Sequence, residues 1–344
     1  MKRKLLSLTF ALFFCLSCAS EDIKNIFLGE KILITKITSN QLHNAFTDLV
    51  FFNNQFFLAF RESDLHVGGK DGVIKVYNSP DGINFNIIKT INVDGIDLRD
   101  PKFSVNEEKN ELMLYIHGAQ FKNSNFLGRS DYVLKYLGED VWSDSKNVLL
   151  DNLKKNTEKL KGNEAWPWRI TWHKNKAYSV GYAPDIFDLY QSEDGLFFKG
   201  LNAFEKRPGF PNETTLRFRD DGDMYALYRN SKGNSFLGKS SSYTNNWDWF
   251  QEIPIINFGG PNFIFLDHNR ILITGRESDQ VTLSLYDLMT LEYKKLITLE
   301  SGGDCGYAGM VVKDGYLFLS YYSSHATPGG SSVYVAKMNI NNLK

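Results

Sequence analysis

Short apolar runs separated by polar turns make up almost all of the chain beyond its N-terminal segment. Thr47–Glu62 reads TDLVFFNNQFFLAFRE and Asn212–Asn230 reads NETTLRFRDDGDMYALYRN, and each is an apolar run, a polar turn and a second apolar run. Runs of this kind, bounded by Gly, Asn or Asp, are typical of β-hairpins. The pattern predicts an all-β protein, in which only the polar insertion Asp151–Lys161 suggests one or two helical turns.

The hairpin pattern occurs six times, at intervals of roughly 40 to 55 residues. The other four hairpins are Arg99–His117, Trp168–Tyr182, Pro261–Glu277 and Tyr307–Ser323. Ser-Pro-Asp-Gly and Ser-Glu-Asp-Gly turns follow in the second half of two units and indicate a further strand pair. Six repeats of four strands predict a six-bladed β-propeller of four-stranded antiparallel blades, with residues 31–344 as one domain. A sandwich is the alternative, but it predicts no fixed period.

The N-terminus is typical of an exported protein. Three basic residues precede the apolar run Leu5–Leu16, which is too short to span a membrane, and small residues with Cys18 follow. The residues before Cys18 resemble the lipobox of bacterial lipoproteins. We therefore predict a signal peptide at residues 1–17, a lipidated Cys18, a tether at residues 18–30, and a lipid anchor in a membrane, favouring the outer membrane on its periplasmic or surface side. An ordinary cleaved signal peptide is the alternative.

Charge and residue spacing exclude several other functions. The net charge of −1 does not suit a nucleic-acid partner. The six histidines lack close metal-ligand spacing, and no glycine-rich phosphate loop connects a strand to a helix. The sequence therefore predicts no cofactor and no metal, with divalent-ion binding by carboxylates as a minor alternative. We expect a monomer whose partner is a glycan, since the high aromatic content suits both strands and sugar binding.

In such a propeller, the start of each first strand and the end of each second strand lie at one rim. The candidate substrate-binding residues at this rim are Arg61, Glu62, His66, Arg99, Glu164, Arg169, Arg229, Arg276, Glu277 and Tyr322. An ion pair between blades would explain any one of these charges. Arg61, Arg229 and Arg276, however, occupy equivalent places in three hairpins. Because guanidinium groups bind carboxylates bidentately, their convergence predicts a site for an acidic sugar.

Two segments resemble bacterial sialidases. NETTLRFRDDGDMYALYRN resembles the sialidase segment in which a Glu opens one strand and an Arg of the carboxylate-binding triad closes the next, and CGYAGMVVKDGYLFLSYY resembles the final segment, opened by a Tyr. The Asp-Gly turns resemble shortened Asp-boxes. The resemblance implies an exo-acting glycoside hydrolase in which Tyr307 is the nucleophile, Glu213 activates it, and Arg229 and Arg276 hold the substrate carboxylate. A phenol suits an anionic substrate because it is neutral until a base takes its proton.

The first hairpin departs from the sialidase pattern. Its opening, HNAFTDL, has no arginine where sialidases have their first one, and Arg61 at the other end of the hairpin is placed to supply the charge. The acid/base aspartate is expected in the loop that contains Asp64, His66 and Asp71, and Asp100 is a further candidate. Two alternatives therefore stay open: a non-catalytic carbohydrate-binding propeller, and a hydrolase or lyase for another acidic sugar.

Overall fold

The computed structural model describes residues 23–27, 30–122, 125–151, 163–204, 207–243 and 246–343. The predicted signal peptide, Cys18 and nearly all of the predicted helical insertion lie outside these residues. The described residues form 28 strands and one short 3-10 helix, Ile340–Leu343. The predicted all-β class is therefore confirmed. No helix in these ranges has the length and apolarity needed to cross a membrane.

The N-terminal part forms a hairpin and a four-stranded sheet. The hairpin strands are β1 (Ile23–Phe27) and β2 (Glu30–Lys36). The sheet contains β3 (His43–Phe52), β4 (Gln55–Ser63), β5 (Val73–Ser79) and β6 (Asn86–Ile91), in that order. β1 lies in the segment for which the sequence predicts a tether.

The next sheet has eleven strands and consists of two antiparallel groups. The first group is β7 (Asp97–Asn106), β8 (Glu111–Lys122), β9 (Asn125–Arg129), β10 (Asp131–Gly138), β11 (Val141–Trp142) and β12 (Lys146–Leu150). The second group is β13 (Trp166–Pro167), β14 (Thr171–His173), β15 (Lys176–Ala183), β16 (Ile186–Ser192) and β17 (Phe197–Gly200). A short parallel pairing of β12 with β17 joins the two groups.

Three further sheets complete the described chain. One contains β18 (Pro211–Phe218), β19 (Met224–Asn230), β20 (Asn234–Ser240) and β21 (Asp248–Ile256). Another contains β22 (Gly259–Phe265), β23 (Arg270–Glu277), β24 (Gln280–Asp287) and β25 (Tyr293–Thr298). The last contains β26 (Cys305–Lys313), β27 (Tyr316–Ser323) and β28 (Ser332–Asn339), and β2 pairs with β28 at its edge. The N-terminal hairpin therefore joins the C-terminal strands.

All six predicted hairpins are present, and their first strands pack beside one another. β3 contacts β7 and β26, β26 contacts β22, β22 contacts β18, β18 contacts β15 and β14, and β14 contacts β7. Apolar clusters fill the space between neighbouring sheets. One cluster combines Phe57 and Ala59 of β4 with Leu112 and Leu114 of β8. Burial between the sheets is thus what holds adjacent strand groups together.

The strand register places the Asp-Gly turns at the opposite end of the sheet from the arginines. In β4, Phe56 pairs with Ser79 at one end and Arg61 pairs with Ile74 near the other. The Ser79 hydroxyl oxygen accepts a 3.0 Å hydrogen bond from the Gly82 N–H, and the Asp81 carboxylate caps the turn. The predicted separation of the Asp-Gly turns from the charged rim is therefore confirmed for this sheet.

Candidate active site

Bulges in the first strands bring side chains together at the charged rim. The register shifts near the start of β3, β7, β18, β22 and β26. Phe46, Asp100, Gly260 and Tyr307 lie in four of these bulges and have positive φ angles, of 59°, 42°, 59° and 51°. A bulge redirects a side chain that the regular alternation would place elsewhere, and a positive φ is uncommon for a residue other than glycine. The shared irregularity therefore identifies this rim as the candidate functional site.

Tyr307 and Glu213 form a hydrogen-bonded pair at the centre of the rim. The Tyr307 hydroxyl donates to Oε1 of Glu213 at 2.7 Å, and Nη1 of Arg229 donates to the same oxygen at 3.0 Å. The other carboxylate oxygen, Oε2, accepts from the Gly260 N–H at 2.7 Å. Glu213 is only 5% exposed, so these three donors hold its carboxylate in one orientation. The contact predicted from the sequence is present.

Gly260 lets Tyr307 approach the neighbouring strand. A Cβ at Gly260 would lie 2.8 Å from Cγ of Tyr307 and 2.9 Å from its Cα, closer than real Cβ contacts. The φ of Gly260, at 59°, also favours glycine. Because the Gly260 N–H binds Glu213, this one residue orients the carboxylate and leaves room for the tyrosine ring.

The electrostatic surroundings of Tyr307 keep its phenol protonated in the absence of a ligand. Burial, followed by the negative charges of Glu213 and Asp100, raises the pKa of Tyr307 well above its usual value, and Arg229 and Arg276 oppose that shift. A phenolate at this position therefore requires simultaneous proton transfer to Glu213 and stabilisation by the arginines.

Asp100 is a buried carboxyl group close to the pair. It is 5% exposed, and its Oδ1 has no hydrogen-bond partner among the described residues. Burial raises the pKa of Asp100, and the nearby Glu213 adds to this, whereas Lys102 and Arg99 oppose it. Burial in turn lowers the pKa of Lys102 to about 8. The site thus contains a carboxyl group whose neutral form is favoured, which is the property of a general acid.

A second cluster lies beside Phe46. Oδ2 of Asp304 accepts hydrogen bonds from Nε2 of His43 at 2.7 Å and Nδ1 of His66 at 2.6 Å, and the Tyr322 hydroxyl donates to Oδ1 at 2.8 Å. Although burial favours the neutral acid, the hydrogen bonds from the two histidines hold the pKa of Asp304 below its usual value. The Phe46 ring contacts both His66 and Tyr307, with centroids 5.2 Å apart in each case.

The spacing of histidines along the sequence did not reveal this cluster, because its third member, Asp304, lies 238 positions after His66. His43, His66 and Asp304 offer three ligand atoms that lie within 4.8 Å of one another, a donor set that suits a metal ion. The prediction of no metal rested only on sequence spacing. In the structure, hydrogen bonds from the two histidines to the Asp304 carboxylate are sufficient to hold the three side chains together.

Arg61, which the sequence analysis places among the substrate-binding residues, is engaged by other groups of the protein. It is 1% exposed, and its Nε and Nη2 donate to Oδ1 of Asp97 at 2.9 and 2.8 Å. Its Nη1 donates to the carbonyl of Leu65 at 3.0 Å, and Nη2 of Arg99 donates to the carbonyl of His66 at 2.7 Å. Both arginines therefore hold the loop that presents His66, and each of the three Arg61 nitrogens already has a partner within the protein.

Arg169 is likewise engaged by a carboxylate of the protein. Its Nη1 donates to both carboxylate oxygens of Asp48, at 2.8 and 2.9 Å, and the residue is 5% exposed. Arg169 and Arg217 line an inner cavity of about 280 Å³. The structure thus places Arg169 in a buried ion pair and does not bring it to Tyr307.

Three further predicted residues, Glu62, Glu277 and Asp71, make no contact with the Tyr307–Glu213 pair in the described part of the chain. Glu62 and Glu277 form ion pairs with Lys75 and Lys295, at 3.3 and 2.7 Å. Asp71 is exposed and makes no side-chain hydrogen bond within the described part of the chain. These three residues are not brought to the Tyr307 centre by any contact in the structure.

Of the last two predicted residues, Arg276 lies near the centre and Glu164 lies beside Arg129. Arg276 is half-buried between strands, donates to the carbonyl of Cys305 at 3.4 Å, and acts electrostatically on Tyr307. Glu164 is half-buried, and its carbonyl accepts a 2.7 Å hydrogen bond from Arg129. Arg229 and Arg276 are therefore the two arginines that flank the Tyr307–Glu213 pair.

The fold is that of the sialidases. A Trypanosoma rangeli sialidase in complex with the inhibitor DANA superposes with a TM-score of 0.66 at 13% identity, over 88% of this chain and 56% of that one. The Hadza microbial sialidase Hz136 gives 0.68 at 12% identity, over 88% and 66%. The phage phi92 endosialidase gives 0.65 at 12%, over 91% and 71%. The chain thus spans about half to two thirds of the first two structures.

These similarities concern the fold alone. No protein-family model matches the chain, and no curated protein sequence matches it. The protein therefore has a sialidase-like all-β fold and is only 12–13% identical in sequence to these three structures.

Proposed function

We propose that this protein is an exo-acting glycoside hydrolase that releases a terminal acidic sugar, sialic acid or a similar one, from a glycan. The observation that supports the proposal is the 2.7 Å hydrogen bond between Tyr307 and Glu213, flanked by Arg229 and Arg276. Sialidases are an exception to the use of two carboxylates in glycoside hydrolysis, because they use a tyrosine nucleophile. The sialidase-like fold supports the same reaction class.

The proposed reaction has two steps. The Tyr307 oxygen attacks the anomeric carbon while its proton passes to Oε1 of Glu213, and the glycosidic C–O bond breaks as the leaving oxygen takes a proton from Asp100. Water then attacks the glycosyl-tyrosine carbon and gives its proton to Asp100, while Glu213 returns its proton to the departing phenolate. Arg229 and Arg276 bind the substrate carboxylate and stabilise negative charge on the phenolate.

Asp100 is our choice for the acid/base residue. Its burial and its unpartnered Oδ1 favour a neutral carboxyl group beside the reacting centre. In the loop before the first Asp-box, Asp64 accepts a 2.7 Å hydrogen bond from the Lys70 N–H, so its carboxylate stabilises the loop. His66, whose Nδ1 is held by Asp304, is the rival candidate.

We further propose that the strand groups form one closed six-bladed propeller, with Tyr307 and Glu213 at its channel mouth. The packing of each hairpin's first strand against the next, from β3 through to β26 and back to β3, supports this arrangement. The pairing of β2 with β28 supports closure between the two ends of the chain.

A second candidate function is hydrolysis or lyase cleavage of a glycan with a different acidic sugar, such as a uronic acid. The observation that favours it is the Arg61–Asp97 pair, because it leaves two arginines beside Tyr307. A non-catalytic glycan-binding role is the third possibility, and it requires that no substrate be cleaved.

The experiment that separates these functions is a screen of the purified protein against aryl glycosides of sialic acid and of uronic acids, with product analysis. Release of free sialic acid supports the main proposal. A saturated uronic acid indicates the alternative hydrolase. Because a lyase eliminates the sugar attached at C4 and cannot act in this way on a monouronide, an oligouronate is added to the screen, and an unsaturated uronate product from it indicates a lyase. Binding without any cleavage would contradict an enzymatic role.

We also propose that the mature protein is a monomer anchored to a membrane by lipid on Cys18. The basic start, the apolar run and the residues before Cys18 support this localisation. Cys18→Ala should release the protein from the membrane fraction, and metabolic labelling with a fatty acid should be lost. An unchanged distribution of the variant between membrane and soluble fractions would contradict the lipid anchor.

A further inference from the structure

A cavity of about 430 Å³ lies beside the candidate active site, between the end of β15 and the start of β18. Tyr182 and Asn212 form part of its wall, and Asn212 immediately precedes Glu213. The Tyr182 ring contacts Trp168, with centroids 6.1 Å apart, and the Trp168 ring contacts Tyr307 at 5.8 Å, so the cavity is separated from the Tyr307–Glu213 centre by this aromatic contact. Its volume lies within the range of small-ligand pockets, which is about 300 to 1,000 Å³.

Three cations line this cavity, and each lies over an aromatic ring. The guanidinium of Arg129 is 5.6 Å from the Trp166 ring centroid, and Nζ of Lys232 is 4.1 Å from that of Phe210. Arg207 lies in the same way over the ring of Phe187, at 5.5 Å. Contact with the rings, together with backbone carbonyls that accept from Arg129 and Arg207, orients the cations before any ligand binds.

The three cations in this cavity have no carboxylate in direct contact within the described residues, and Asp131 and Asp188 act on Arg129 and Arg207 only from further away. Arg129, Arg207 and Lys232 form no ion pair with a carboxylate anywhere in the described residues, and no acidic residue is among those that line the cavity. Most other arginines near the rim are paired; Arg61 and Arg169, for example, bind Asp97 and Asp48. The cavity therefore has an excess of positive charge that suits an anionic ligand.

The cavity also has a surface suited to a sugar. The Phe210 ring is 56% exposed, and the side chains of Asn212 and Ser231 lie at the same edge and hydrogen-bond to each other at 2.7 Å. An exposed aromatic side chain beside hydroxyl and amide groups provides both an apolar face and hydrogen-bonding partners, as a sugar ring requires.

We propose that this cavity binds a second anionic sugar unit, the neighbour of the unit held at Tyr307, so that the protein prefers glycans in which two adjacent sugars are acidic. The inference rests on the proposed function for the position of the first unit. Arg207 and Lys232 bind the carboxylate or sulfate of the second unit, and Phe210 contacts its ring.

The test compares ligands that differ only in the charge of the second unit. Binding is measured by calorimetry to the Tyr307→Phe variant, which prevents turnover. The sialic acid probes are disialic acid and the same disaccharide with the carboxyl group of its second unit converted to the neutral methyl ester. The uronate probes are digalacturonic acid and the same disaccharide with the carboxyl group of its second unit as the methyl ester. A sulfated form of the neutral probe distinguishes a sulfate-binding cavity from a carboxylate-binding one.

In the series that the protein binds, we expect the probe with the acidic second unit to bind about tenfold more tightly, as one charge-assisted hydrogen bond would give. Arg207→Met and Lys232→Met should each reduce this preference, and added salt should weaken it. Lys199→Met is the matched control, because Lys199 is exposed on β17 and does not line the cavity. Thermal unfolding verifies that the variants fold.

The outcomes separate this inference from the proposed function. Equal affinity for acidic and neutral second units, no binding of any probe, or an unchanged preference in both variants would overturn the inference. Aryl glycosides have no second sugar, so their cleavage tests the proposed function alone. Cleavage without a charge preference refutes only the cavity's role, and a charge preference without cleavage refutes only the catalytic role.

Discussion

The Tyr307 hydroxyl donates a 2.7 Å hydrogen bond to Glu213, a residue 94 positions earlier in the chain. Glu213 lies in β18 and Tyr307 in β26, and the intervening strand β22 contacts both. Gly260 of β22 donates its N–H to Glu213, so three strands from three sheets meet in one contact. The geometry holds the Tyr307 hydroxyl against an oriented carboxylate, which is the arrangement that the proposed mechanism needs.

Tyr307→Phe should fold normally and lose turnover of a competent substrate by several orders of magnitude, about what deletion of a nucleophile costs in other enzymes. The phenylalanine keeps the ring contacts with Phe46 and removes only the hydroxyl. Glu213→Gln should have nearly the same effect, since the two residues act as a unit. Steady-state kinetics and thermal unfolding provide the measurement.

The matched control for this substitution is Tyr321→Phe, because the Tyr321 hydroxyl is bonded to the Glu300 carbonyl and has no contact with Glu213. That variant should lose about 1 kcal/mol of stability and keep its turnover. Wild-type rates in Tyr307→Phe would exclude the tyrosine mechanism and leave Asp100 as the stronger catalytic candidate.

Gly260→Ala should damage the site and the fold together. The added methyl group would meet the Tyr307 ring, and a positive φ is unfavourable for alanine. We expect a lower melting temperature and a large loss of kcat. Gly315→Ala shares the positive φ but places its methyl group in open space, so it should cost only about 1 kcal/mol and leave kcat intact. Equal effects of the two substitutions on kcat would show that the contact with Tyr307 does not matter.

Asp100→Asn should slow cleavage most for substrates whose leaving-group oxygen must be protonated as the glycosidic bond breaks. For glycosides with a poor leaving group we expect a loss of about 10² to 10⁴ in kcat/KM, and for activated aryl glycosides a small one. Because burial raises the pKa of Asp100, the wild-type activity should decline as the pH rises through that value. Kinetics with a series of substituted phenyl glycosides measures the difference. The same loss for good and poor leaving groups would point to His66 instead.

Substitution of Arg61 should lower the free energy of unfolding, whereas substitution of Arg276 should weaken substrate binding. Arg61→Met would leave the Asp97 carboxylate buried without its main partner, at a cost of about 3–5 kcal/mol in unfolding free energy. Arg276→Met should barely change stability, because its one hydrogen bond is long, and should raise KM about tenfold or more. Denaturant titration and kinetics of both variants test the pair. A raised KM without destabilisation in Arg61→Met would restore that residue to the predicted clamp.

Asp81 should contribute pH-dependent stability. Although burial favours its neutral form, the N–H groups of Asn84 and Ile83 hold the pKa of Asp81 down at about 2. The lowered pKa means that the stabilisation is complete above the unfolded value of about 3.9 and is lost as the pH falls toward 2. Asp81→Ala should therefore cost about 1 kcal/mol at neutral pH, and the difference from wild type should shrink in acid. Asp185→Ala, at an exposed site, is the control. A pH-independent difference would contradict this account.

The sequence by itself determined the strands, the hairpins and the pairing of Tyr307 with Glu213. Alternation of apolar and polar residues is a local property, so it identifies strands without knowledge of their neighbours. The repeat then places equivalent strand ends at one rim, and a resemblance carried by short segments was enough to name the central pair. Arg229 and Arg276 followed from the same register.

Only the tertiary structure decided which partner each charged side chain has. Arg61 and Arg229 occupy equivalent places in their hairpins, yet Arg61 is bound to Asp97 of the next sheet, which no local pattern specifies. The positive φ of Asp100 and Tyr307 depends on bulges that the strand pairing imposes. The physical reason is that ion pairs, bulges and cavities arise between segments distant in the chain, whereas residue order records only local preference.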